Sequence, residues 1–154
     1  MYVSHNFVVP IGPVKPATLR AEEFTIAVLG PGTGLGVAGL LSRRGRLASV
    51  VTEAGHVGFS PESEQQMQVL DRLRSRYGRV SGERLVSGAG IENIYWALRQ
   101  TETPKVPSAA EIFSRQARRV DPLATAAVEL FFEILGQIAG DVALTLGAHQ
   151  GVYL

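Results

Sequence analysis

Ile26-Ala27-Val28-Leu29-Gly30-Pro31-Gly32-Thr33-Gly34-Leu35-Gly36-Val37-Ala38-Gly39-Leu40-Leu41 is the stretch on which the reading of this chain turns. An apolar, strand-like run enters a loop with glycine at every second position, and a second apolar run leaves it. Glycine permits positive φ and lets a ligand approach the main chain closely. Successive amide N–H groups in such a turn can converge on one anion, so the loop is a candidate phosphate cradle. A tight glycine turn between two strands accounts for the same residues. A Walker loop is excluded, because it needs Gly-Lys-Ser/Thr and no lysine occurs between Lys15 and Lys105. Gly34, Gly36 and Gly39 do match the dinucleotide pattern G-x-G-x-x-G, with Glu53 where a ribose-binding acid would fall. That fold, however, needs a helix directly after the turn. Here Val37–Ser42, the turn Arg43-Arg44-Gly45-Arg46 and Leu47–Thr52 predict a β-hairpin instead.

Outward from this core, the length of 154 residues is that of one domain. A net charge of +1 provides no basic footprint for nucleic acid. The absence of cysteine excludes disulfides and thiolate metal sites, and cytosol is the default compartment. No signal peptide is recognisable at the amino end. Pro10, Pro13 and Pro16 rule out a helix over residues 1–23, which read as an extended arm. The first strand is expected at Phe24–Leu29. Gly151-Val152-Tyr153-Leu154 reads as a terminal strand without a solvated tail, and we expect the chain to be a piece of a larger protein.

After the hairpin comes Thr52-Glu53-Ala54-Gly55-His56-Val57-Gly58-Phe59. Gly55 argues against a helix, so Glu53 and His56 are expected on a loop at the end of a strand. A carboxylate accepts from hydroxyls, and a neutral imidazole donates one hydrogen bond and accepts another, a pairing suited to a polyol. Isolated Glu and His residues also serve simply to brace loops. A helix follows, capped by Ser60 with Pro61 or by Ser63 with Gln66, with Met67, Leu70, Leu73 and Tyr77 as its apolar stripe and Gly78 as its stop. Val80–Val86 is a short connection carrying a second acid, Glu83. Ser87-Gly88-Ala89-Gly90 leads into a helix from Ile91 to about Arg99. Its glycines fit close packing better than anion binding. Thr101–Pro107 reads as a surface loop. Ser108-Ala109-Ala110-Glu111 is a capping box opening a helix to about Val120. Asp121-Pro122 caps a long helix to about Leu146, whose polar residues Glu129, Glu133, Gln137 and Asp141 fall four apart. It is expected to be the central buried helix, not a membrane span, with another backbone passing Gly136 and Gly140. His149 is expected in a turn.

Taken in order, Leu29–Gly36, Glu53–Phe59 and Val80–Gly90 closely resemble the bacterial glucokinase family, ATP-dependent enzymes that phosphorylate the 6-hydroxyl of glucose. The resemblance runs from about Phe24 to Leu154. It implies an α/β fold: part of an actin-like (ribonuclease H-like) sugar-kinase large domain, with a mixed sheet, a β-hairpin and packed helices. Residues 24–154 would be an incomplete large domain after the arm 1–23. By the same resemblance Gly32, Thr33 and Gly34 face the ATP phosphates, and Glu53, His56 and Glu83 hold the sugar hydroxyls. ATP with its Mg2+ would be the cofactor, the full-length protein a cytoplasmic homodimer, and no nucleic acid or membrane a partner. Ala54 and Gly58 depart from the family's usual glycine and aspartate. The cysteine-rich zinc site of related repressors is absent, so no metal site is expected. The family's Asp-x-Gly-Gly-Thr motif, the Asn-Asp-Phe motif with its catalytic aspartate and its adenosine-contacting Gly-Gly motif do not occur here. No catalytic residue is therefore assigned, and the isolated chain is expected to be inactive. The alternative is a non-catalytic sugar-binding or regulatory module.

Overall fold

A computed structural model describes residues 23–99, 105–114 and 119–154. The proposed arm lies outside the described residues except for Glu23, as do positions 101–104 of the expected surface loop. The chain divides into two units: Met1–Gly30, Gly36–Ala54 and Ile138–Leu154 form one, and Pro31–Leu35 with Gly55–Gln137 the other.

The first unit is built on a four-stranded mixed sheet in the order β3-β2-β1-β4. Strand β1, Phe24–Pro31, lies between two neighbours, which suits its nearly unbroken apolar run. Strands β2, Leu35–Arg43, and β3, Arg46–Thr52, pair antiparallel with Arg43 opposite Arg46. Their two-residue turn holds Arg44 at φ 52° and Gly45 at φ 71°, the positive values that a type I′ turn requires. The hairpin is therefore as expected, and no helix follows the glycine loop. Strand β4, Val152–Tyr153, runs parallel to β1 in the register Ala27 to Val152. Gln150 fixes this register by accepting a hydrogen bond from the Thr25 amide at 2.8 Å. Phe24, Ile26 and Tyr153 form a buried cluster with Val28 and Leu40 packed against it. The Leu146 side chain crosses β2 at Gly39, where a Cβ would sit 3.1 Å from Leu146 Cδ1.

The second unit is helical. Helix α1, Glu64–Tyr77, is capped by Ser63, whose Oγ accepts from the Gln66 amide, so the second of the two capping choices is the one realised. Its buried face is Gln66, Val69 and Leu73; of the expected stripe Leu73 is buried and Leu70 and Tyr77 half-buried, whereas Met67 is 51% exposed. A polar residue turned inward misled the pattern: Gln66 Oε1 accepts from the Glu62 amide and its Nε2 donates to Glu133. Burial of Gln66 is tolerated because both ends of its amide are satisfied. Gly78 ends the helix as expected, its amide donating to the Arg74 carbonyl. Helix α2, Gly88–Leu98, starts three residues earlier than expected, on the Ser87 cap. Tyr77 donates to Asn93 at 2.8 Å, tying α1 to α2.

Helix α3, Ala109–Phe113, opens on the expected Ser108–Glu111 capping box. Hydrogen bonds from the Ser108 amide and hydroxyl hold the Glu111 carboxyl below the ordinary carboxylate range. The helix ends at Phe113, with Ser114 extended at φ −61°, ψ 143°; positions 115–118 of the expected span lie outside the described residues, and 119–120 are helical. Helix α4, Pro122–Leu146, is opened by Asp121, whose Oδ1 accepts from the amides of Leu123 and Ala124. Tyr95 donates to the other Asp121 oxygen at 2.8 Å. Phe113, Phe131 and Phe132 stack edge-to-face and dock α3 on the first half of α4.

Two expectations for α4 are corrected. The helix buries one face, including Ala127, Leu130, Ile134 and Leu135, while Phe132 and Leu144 are exposed, so it is not enclosed all round. No described atom approaches a Cβ built at Gly136 or Gly140, so the expected neighbouring backbone is not found there. By length and composition α4 could cross a membrane, a criterion that core helices of soluble proteins also meet.

Candidate functional site

The glycine loop, His56 and Glu83 all belong to the helical unit. Two short segments there are zipped together. The Phe59 amide donates to the Val80 carbonyl at 3.1 Å and the Gly82 amide to the Val57 carbonyl at 3.0 Å, and Gly58 pairs with Ser81 in an antiparallel bridge. Continuing that register by two residues sets His56 opposite Glu83. His56 ends a single 3-10 turn, Ala54–His56, where only a loop was expected. Glu83 lies in a second such turn, Gly82–Arg84. His56 Nδ1 stands 3.7 Å from Glu83 Oε1, and Arg79 donates to the His56 carbonyl at 2.7 Å.

The second oxygen of Glu83 reaches the glycine loop. Glu83 Oε2 accepts from the Leu35 amide at 3.0 Å. The loop's other end is held by the Gly88 amide, which donates to the Gly32 carbonyl at 2.8 Å. Between them the Gly32 amide donates to the Gly34 carbonyl at 2.8 Å, closing a small ring. The amides of Thr33 and Gly34 then have no acceptor among the described residues, which leaves them available to an anion.

The loop glycines are not there for positive φ, contrary to one of the two reasons offered from sequence. Gly34 leaves room: a Cβ there would lie 2.5 Å from Glu83 Oε2. Gly32 has nothing within 4 Å of its Cβ direction, so its outer side is open. Gly55 is buried, and only glycine fits there, because a Cβ would collide with the Leu35 carbonyl oxygen. A Cβ at Gly90 would likewise collide with the Leu85 backbone, which supports packing as its purpose.

The structure thus brings Gly32, Thr33, Gly34, His56 and Glu83 into one neighbourhood. Glu53 is exposed directly after β3, in the sheet unit, three residues ahead of His56. Two participants escaped the sequence reading. Leu35 acts through its main-chain amide, which no side chain advertises, and Gly88 through an amide whose glycine was assigned to helix packing in preference to anion binding. The pairing of Val57-Gly58-Phe59 with Val80-Ser81-Gly82 was the signal that places His56 across from Glu83. Chemically, one carboxylate beside an imidazole next to unaccepted main-chain amides can bind hydroxyls and an anion side by side. No cluster of three His, Asp or Glu able to hold a metal occurs among the described residues.

The glucokinase family model matches residues 2–154. This chain belongs to the glucokinase family. It is 41% identical over 150 residues to a glucokinase of Xylella fastidiosa, covering 96% of this chain and 44% of that protein. Against a glucokinase of Xanthomonas campestris the identity is 44% over 141 residues, covering 91% and 42%. The chain therefore spans less than half the length of these relatives. A glucokinase crystal structure from an Antarctic psychrotroph superposes with a TM-score of 0.78 at 31% identity, covering 98% of this chain and 46% of that one. The glucokinase of Balamuthia mandrillaris, solved in complex with glucose, gives a TM-score of 0.66 at 29% identity over 84% of this chain and 38% of that one. The fold is accordingly part of the α/β sugar-kinase domain that the three motifs imply.

Proposed function

We propose that this chain forms the sugar-binding and second phosphate-binding portion of an ATP-dependent glucokinase. The observation that carries the reading is the Glu83 carboxylate, held between the Leu35 amide of the glycine loop and the His56 imidazole. In this reading Glu83 Oε1 and His56 take sugar hydroxyls, with Glu53 contributing further hydroxyl contacts. Gly32, Thr33 and Gly34 face the phosphates, and the two unaccepted amides stabilise charge as it develops on the transferring phosphoryl group. ATP, when bound, supplies that phosphoryl group together with its Mg2+. Mg2+ commonly keeps several waters and takes few protein ligands, so it would arrive with the nucleotide.

Catalysis of this type is mostly positioning, so the residues here matter through where they hold the 6-hydroxyl. The general base is assigned to none of them. The sequence carries no Asp-x-Gly-Gly-Thr and no Asn-Asp-Phe, and loss of a general base alone slows a reaction about 10²- to 10⁴-fold. We therefore read residues 24–154, after the segment 1–23, as an incomplete large domain that does not turn over by itself. A cytoplasmic, homodimeric full-length enzyme completes the proposal.

The test is a coupled assay for glucose 6-phosphate on the protein encoded by the complete reading frame. Glucose phosphorylation is expected, with Glu53→Gln and Glu83→Gln lowering kcat/KM for glucose about 10- to 100-fold, as loss of a charged hydrogen bond predicts. A protein that phosphorylates no hexose, or variants as active as the parent, would overturn the assignment. The 154-residue chain alone should form no product.

A further inference from the structure

We propose that Glu83 serves both halves of the site: Oε1 faces the sugar, while Oε2 latches the phosphate loop, coupling glucose and nucleotide binding. The inference rests on the kinase reading above and adds a positioning role to it. The six-residue segment Glu83–Gly88 grips the loop at both ends, through Leu35 N–H to Glu83 Oε2 at 3.0 Å and Gly88 N–H to the Gly32 carbonyl at 2.8 Å. The segment is itself braced. Ser87 Oγ donates to the Glu83 carbonyl at 2.8 Å and accepts from the Gly90 amide at 3.0 Å, so the carboxylate and the Gly88 amide hang from one cap. Gly34 is part of the same device, since a Cβ there would fall 2.5 Å from Oε2 and push the carboxylate off Leu35. A loop held at both ends loses less conformational freedom when it closes on a phosphate. A hexose that fixes Glu83 stiffens the latch, and a bound phosphate fixes the loop that Glu83 holds; the coupling is reciprocal.

The experiment is calorimetric titration of ATP without glucose, and of glucose without ATP, into the protein from the complete reading frame. Glu83→Ala should weaken ATP binding about tenfold, the loss of one charge-assisted hydrogen bond, and glucose binding as well. Glu83→Gln keeps a carbonyl oxygen for the Leu35 amide, so ATP affinity should stay within about twofold while glucose binding falls. Gly34→Ala should weaken ATP binding in the wild-type background but add nothing in Glu83→Ala, where the clash is gone. Glu83→Ala binding ATP as tightly as the wild type would overturn the proposal. A wild type that binds no glucose would instead remove the kinase reading. The latch then stands or falls on Leu35 amide exchange, which must accelerate in Glu83→Ala and not in Glu83→Gln.

Discussion

Two glycine turns flank strand β2, and they use the same residue for different physical reasons. At Arg44-Gly45 both residues have positive φ, and a Cβ at Gly45 would meet nothing. Glycine there serves the backbone alone, matching the twist of a two-residue hairpin. At Gly32-Thr33-Gly34 no residue has positive φ, yet Gly34 has a carboxylate where its Cβ would be. That glycine serves the neighbour and the ligand. A glycine-rich stretch in a sequence therefore says little until it is known whether the dihedral or the space is being used.

Substitutions by alanine separate the two uses. The largest effect is expected at Gly55, which belongs to neither turn. Its Cβ would collide with the Leu35 carbonyl oxygen, and backbone cannot swing aside as a side chain can. Gly55→Ala should cost about 3 kcal/mol, at the upper end for overpacking, read as a lowered urea midpoint. Gly34→Ala comes next and divides differently. The clashing atom is the end of a flexible side chain, so stability should change by less than about 0.5 kcal/mol. Glucose affinity should nevertheless fall about tenfold by calorimetry, because Glu83 is displaced. Gly45→Ala should show the reverse: about 1 kcal/mol lost to the left-handed conformation, with glucose affinity unchanged. If Gly34→Ala and Gly45→Ala behave alike, the distinction between the turns is wrong.

A smaller effect concerns pH and neither turn. Burial, reinforced by the hydrogen bond to Asp121, raises the Tyr95 phenol above its ordinary value, and burial raises Tyr153. The folded state holds these protons more tightly than the unfolded chain. Their contribution to stability is thus complete below about pH 10 and is lost as pH rises through the folded values. Tyr95→Phe should flatten part of this alkaline decline in thermal midpoint. An unchanged decline would remove Tyr95 from it.

What was legible in the sequence follows the same division. Local chemistry was readable: the Arg44-Gly45 hairpin, the Ser108 and Asp121 caps and the Gly78 stop each depend on neighbours within a few residues. The strand β4 was readable because Val152 and Tyr153 are apolar and flanked by Gly151. Which face of a helix packs was not readable where a polar side chain turned inward, as Gln66 does to meet Glu133. The end of α3 was hidden because Ser114 turns extended while the residues after it, Arg115-Gln116-Ala117-Arg118-Arg119, carry no glycine or proline to mark a stop. In the site, Glu83 and His56 announced themselves by type, whereas the Leu35 amide that holds Glu83 has no signature in a leucine. Three ordered motifs compensated, because their spacing carries information that no single glycine loop holds.

The central claim is that His56 and Glu83 hold one hexose beside the phosphate-facing Gly32–Gly34 turn, while the Arg44-Gly45 turn takes no part. Titration of glucose into 15N-labelled protein, followed through the backbone amides, tests it most directly. The account predicts saturable shifts at Leu35, His56 and Glu83 with Arg44 and Gly45 unmoved. Saturable shifts that spare Leu35 and Glu83, or that centre on the hairpin turn, would contradict it.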